Sequence, residues 1–141
     1  MPCACTVNLT EIIHSGSDIG DDWRYQIIIG GETVSIDGQG HGDARERIEL
    51  DPPIGWTLRA QDCGADVSFD VQVKAEEEDL FLSDLGEKTR NITVRCPDEG
   101  EGPNEFHNQQ IVARVAEEPA FLRKVHWVTF VFDIETTCTD D

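Results

Sequence analysis

Basic residues are scarce in this chain. Lysine occurs only at Lys74, Lys88 and Lys124, and all Lys and Arg together number 11 against 29 acidic side chains, for a formal net charge of −18. Nucleic acid and anionic lipid are held first through clustered Lys and Arg, so a field of this sign opposes both. A run of about 18 apolar residues, the minimum for a membrane-spanning helix, is also missing. The N-terminal Met1-Pro2-Cys3-Ala4-Cys5-Thr6-Val7 has no basic segment leading into an apolar one and does not read as a secretory leader, so a cytoplasmic location is expected.

Repeated Cys-x-x-Cys spacing is absent from the five cysteines (Cys3, Cys5, Cys63, Cys96, Cys138), which argues against a zinc ribbon. An odd count cannot pair completely within one chain, and reduced thiols are the expectation for a cytoplasmic protein. Cys3 and Cys5 would point the same way on a strand, as small buried apolar groups. A soft metal site formed with His14 is the alternative. Motifs of catalysis are missing too: no Gly-x-Ser-x-Gly elbow, no phosphate-binding glycine loop, no His-Glu-x-x-His helix. Gly38-Gln39-Gly40-His41-Gly42-Asp43 is glycine-rich but lacks the lysine and helix of a phosphate cradle. His14, His41, His107 and His126 are the only histidines, and a non-enzymatic protein is expected.

What is present is alternation. Val67, Phe69, Val71, Val73 and Ala75 alternate with Ser68, Asp70, Gln72 and Lys74, the period of a half-buried strand. Val7, Leu9 and Ile13, then Tyr25, Ile27 and Ile29, then Ile92, Val94 and Cys96, and Ile111, Ala113 and Val115 mark further strands. Gly30-Gly31 reads as a hairpin turn into Thr33-Val34-Ser35-Ile36. Ile48 and Leu50 begin a strand that Pro52-Pro53 should interrupt, before Trp56, Leu58 and Ala60 resume the period. Residues 125–134 carry bulk on both faces, with Trp127 and Val131 opposite Val128, Phe130, Phe132 and Ile134, which predicts a central, doubly covered strand. Short helical turns are expected near 42–46 and 118–124. Residues 37–43 and 97–105 read as exposed loops. The sum is one all-β domain over 1–141, an antiparallel two-sheet β-sandwich of about eight strands.

Two acidic, glycine-marked segments border these strands. The first is Asp18-Ile19-Gly20-Asp21-Asp22, just before the strand at Tyr25. The second is Glu76-Glu77-Glu78-Asp79-Leu80-Phe81-Leu82-Ser83-Asp84-Leu85-Gly86, just after the strand ending at Ala75. Crowded carboxylates repel unless water or a cation offsets them. Brought to one end of a sandwich, they would form an oxygen-rich setting suited to Ca²⁺, which takes six to eight oxygens with tolerant geometry.

These residues resemble the C2 domains, Ca²⁺-binding β-sandwiches of eight strands. Asp18, Gly20, Asp22 and Tyr25 are similar to the family's first loop entering its strand, and Glu77, Asp79, Asp84 and Gly86 are similar to its later acidic loop. The likeness spans residues 5–96. It departs where Trp23-Arg24 replaces the usual proline, where Glu77 stands for an Asp, where Asp84-Leu85-Gly86 is one residue short, and in lacking a lysine-rich strand for phosphoinositides. The resemblance implies a non-enzymatic Ca²⁺-binding interaction module. Its ligands would be Asp18, Asp21, Asp22, Glu77, Asp79 and Asp84, and Ile19 and Leu80-Phe81-Leu82 would be presented to a membrane surface or protein partner. The competing expectations are a metal-free structural or adaptor sandwich whose acidity serves solubility, and an assembly subunit that pairs through its edge strands.

Overall fold

The computed structural model describes residues 2–43, 45–78, 83–117 and 124–138. Eight strands follow in order: β1 (Pro2–Gly16), β2 (Asp22–Ile29), β3 (Glu32–Gln39), β4 (Arg47–Asp62), β5 (Asp66–Glu77), β6 (Asp84–Arg95), β7 (Asn104–Ala116) and β8 (Val125–Cys138). They form two antiparallel four-stranded sheets, β4-β1-β8-β7 and β3-β2-β5-β6, stacked as an all-β sandwich. The core lies between inner faces that alternate with water-facing residues. Leu9, Ile12, Phe130, Phe132 and Ile134 fill it from one sheet, and Ile27, Ile29, Val71, Val73 and Val94 from the other.

The β2–β3 hairpin turns at Gly30-Gly31, both at positive φ (58° and 81°), the two-residue geometry that matches strand twist and that glycine adopts without steric cost. β6 and β7 meet edge to edge along one side of the sandwich. Arg90 Nη1 donates to the Gln110 carbonyl at 3.0 Å, and Gly86 lies so close to the Arg114 carbonyl that a Cβ would collide with it. Gly86 is therefore a close-approach residue within a strand.

Several expectations change. β4 runs through Pro52-Pro53 without breaking, because it is an edge strand and its register with β1 skips residues 50–53, so the ladder needs neither missing N–H. Opposite these prolines β1 carries a bulge between Leu9 and Glu11, where the register shifts against both β4 and β8. The bulge reverses the alternation, so Ile12 and His14 face the core and Ile13 does not. β8 is central, as its bulk predicts, but its outer face is only partly covered: Val131 is buried, whereas Trp127 remains 39% exposed. The described residues near 42–46 form a loop rather than a helical turn; residues 118–123 lie outside the described residues.

The reduced-thiol expectation is overturned. Cys3 is bonded to Cys96 and Cys63 to Cys138, and Cys5 alone is free and buried. Burial pushes the Cys5 thiol up to about 11, which keeps it protonated and unreactive. Cys3 and Cys138 are register neighbours, and the Cys96 N–H bonds to Ala65 beside the turn that carries Cys63, so both bridges brace one end of the sandwich. A Cys3–Cys5–His14 metal site is excluded by this pairing and because His14 stands at the opposite end of β1.

Candidate functional site

The end of the sandwich away from the disulfides is where chemistry collects. β1 reaches it at Gly16, β2 leaves it at Asp22, β5 ends there at Glu77 and β6 begins there at Asp84. Asp22 is half-buried and opens β2; its carbonyl accepts the Glu78 N–H at 2.8 Å. Glu77 pairs with Trp23 on one side and Asp84 on the other. Gly20, at φ 140°, rests directly on the Glu77 carboxyl group, a contact with no room for a Cβ. Arg24 pairs with Glu78 at 3.0 Å. The first acidic loop and the start of the second therefore do meet at one end.

The described carboxylates are nevertheless disposed differently from a cage. Asp18 is exposed and accepts the Gly20 N–H at 3.1 Å, bracing its own turn. Asp21 is exposed, and its carbonyl accepts the Gly40 N–H at 2.8 Å. Glu77 and Asp84 are buried at 5% and 2% exposure, on inward positions of their strands, and each is engaged within the fold. Asp79 and the Leu80-Phe81-Leu82 tip lie outside the described residues. Among the described residues no three His, Cys, Asp or Glu side chains are grouped to hold a metal ion.

Beneath these loops lies a polar cluster that no sequence motif marks. His14, from β1, and His126, from β8, are fully buried, and Tyr25, from β2, is 2% exposed. His126 Nδ1 lies 2.7 Å from the Ser17 carbonyl oxygen, which only accepts, so this nitrogen carries the proton. His126 Nε2 is then an acceptor, and His14 Nδ1 donates to it at 2.7 Å. His14 Nε2 in turn accepts the Tyr25 hydroxyl at 2.5 Å. All four ring nitrogens are satisfied with both imidazoles neutral. Trp23 packs on both rings, with centroids 5.1 Å from His14 and 5.0 Å from His126, and its Nε1 donates to the Gly20 carbonyl at 2.9 Å. Burial and then the neighbouring His126 lower His14 to about 4, and burial raises Tyr25 far above the ordinary phenol range.

The loop before β4 closes over this cluster. His14 N–H donates to the Glu46 carbonyl at 2.8 Å, and the Glu46 carboxylate bonds His41 Nδ1 at 2.8 Å and Gly42 N–H at 2.7 Å. The His41 hydrogen bond, aided by the Gly42 N–H, holds Glu46 below the usual carboxylate range. His107, by contrast, is exposed and held above the usual imidazole range by hydrogen bonding to Glu105, with Asp133 adding to the effect.

A groove of about 440 Å³ runs over the outer face of the second sheet near the same end. Arg24 and Lys74 line it with Asp37 and Glu76, and Leu85, 52% exposed, supplies an apolar flank. No helix among the described residues is long and apolar enough to cross a membrane. No protein-family model matches the chain, and comparison with curated proteins finds no match.

Proposed function

We propose that the chain is a non-enzymatic interaction module, a disulfide-braced β-sandwich that receives a protein segment in the groove over β2, β3, β5 and β6. The groove carries this reading. Charged side chains of both signs, Lys74 and Glu76 among them, flank the exposed apolar Leu85 there, which suits an extended peptide better than a polyanion. Two of the four histidines are sealed in the core and a third is tied to Glu46, an arrangement that favours a structural over a catalytic use of imidazole. Two disulfides favour an oxidising compartment over the cytoplasm. Peptides selected from a random display library should shift the NMR signals of Arg24, Lys74 and Leu85 and lose binding at least tenfold to Leu85→Asp. Binders that map elsewhere and ignore Leu85→Asp would refute the reading.

A second reading, the C2-like Ca²⁺ module, draws on the meeting of Gly20 and Asp22 with Glu77 and Glu78 at one end. Carboxylate oxygens are the right donors for Ca²⁺, but the described ones do not form a shell, with Asp18 committed to its turn and Glu77 and Asp84 facing inward. Thermal melting decides between the two. A metal-free module melts at one temperature in EDTA and in millimolar Ca²⁺, apart from a screening shift that Mg²⁺ reproduces. A Ca²⁺-selective rise that Asp22→Asn removes would establish the second reading.

A further inference from the structure

We propose that the Tyr25–His14–His126–Ser17 chain of hydrogen bonds is an acid-operated latch, which holds the loop end of the sandwich shut when neutral and releases it when protonated. His126 Nδ1 grips the Ser17 carbonyl, and the Ser17 N–H holds the Val125 carbonyl at 2.9 Å, so residues 17–21 are tied to β8 at their first residue. The same loop carries the Gly20 carbonyl that receives Trp23 and the Asp21 carbonyl that receives Gly40. Loosening the histidine pair therefore loosens the loops that lie on it.

The chain has no vacancy for an added proton. A proton taken from solvent at His14 Nε2 forces the Tyr25 hydroxyl to turn from donor to acceptor and strands its hydrogen in the core. A proton at His126 Nε2 sets two N–H groups against each other across 2.7 Å. Either way a cation appears among Trp23, Tyr25 and Phe130, where a charge without a partner is costly. The titratable groups around the pair are Tyr25 from β2 and Glu46 and His41 from the loop before β4, with Glu77 of β5, Asp84 of β6 and Glu117 just after β7 at the same end. Glu46 has the sign of a counterion, but its carboxylate is already taken by His41 and Gly42. Opening lets the imidazoles reach water, so acid favours the open form. The depression of His14 to about 4 agrees with this direction.

Amide hydrogen exchange on the intact, oxidised protein tests the latch, with rates corrected for intrinsic pH dependence. An imidazole that titrates at 6.5 when open and about 4 when closed raises the opening constant on the order of 40-fold between pH 6.5 and 4.5. Protection at residues 14–23 and 125–127 should fall by that factor, while residues 62–66 and 94–96 at the disulfide end stay protected. Imidazole ¹⁵N shifts should show His14 neutral at pH 7 with its proton on Nδ1. Replacing His14, Tyr25 and His126 together by Phe should abolish the local pH dependence, and His107→Gln should leave it unchanged. If the triple variant does not fold, the wild-type data decide alone. Protection that is flat from pH 6.5 to 4.5, or a His14 imidazole already charged at pH 7, would overturn the proposal.

Discussion

Replacing Cys3 and Cys96 together by Ala is expected to lower the unfolding free energy by about 4–5 kcal/mol. The two cysteines are 93 residues apart, and a bridge closing a loop of that size removes about that much chain entropy from the unfolded state. The bridge also joins β1 of one sheet to the end of β6 of the other. Urea unfolding of the variant against the wild type measures the loss as a fall in midpoint at constant slope. Cys63 and Cys138, 75 residues apart, should give a loss of similar size, and dithiothreitol should produce both effects without mutation. Intact mass provides the direct check, since reduction adds two hydrogens per bridge. A midpoint insensitive to reductant, with five alkylatable thiols in the unfolded untreated protein, would show that the chain does not use these bridges.

Acid should destabilise the whole molecule by roughly 3 kcal/mol through His14 alone. The unfolded chain binds a proton at His14 near the ordinary 6.5, whereas the folded chain resists until about 4. Between these values the unfolded state holds more protons, so stability rises with pH across the window. The contribution is full above about 6.5 and is lost as pH falls toward 4. At about 1.4 kcal/mol for each pH unit of separation, the loss reaches roughly 3 kcal/mol. Glu46, held low in the folded state, adds to the loss at the acid end. His107 works the other way: raised in the folded state, it contributes below about 6.5 and is lost as pH rises through its folded value. Urea midpoints at pH 7, 6, 5 and 4, measured for the wild type and for His107→Gln, separate the two. A wild-type stability that holds or improves down to pH 4 would show that relief of the −18 self-repulsion outweighs the buried histidine.

The two effects act at opposite ends. The disulfides brace the end at Cys3, Cys63, Cys96 and Cys138, while the histidine pair secures the end where residues 17–21 rest on β5 at Glu77. A molecule stapled at one end opens at the other, so acid should change the loop surface before it unfolds the core.

Strand period by itself determined most of the architecture. The inward set Val67, Phe69, Val71, Val73 and Ala75 continues without a break to Glu77, and Val128, Phe130, Phe132 and Ile134 continue backward to His126, so both buried polar residues follow from alternation already legible in the sequence. The Gly30-Gly31 hairpin and the centrality of β8 are local or compositional signals of the same kind. The position of His14 is different. Read by simple alternation from Val7 and Leu9, it faces water; the bulge opposite the β4 prolines shifts the phase by one and turns it into the core. No local signal marks that bulge, because it arises from the pairing of two strands some 40 residues apart in sequence. The choice of cysteine partners is likewise non-local: five thiols allow many pairings, and only the closing of two sheets brings Cys3 to Cys96 and Cys63 to Cys138. Sequence determined the all-β sandwich and the acidity of its loops, since periodicity and charge belong to neighbouring residues. Tertiary structure alone decided that those loops rest on a neutral histidine pair, because register and burial are properties of strands only after they have met.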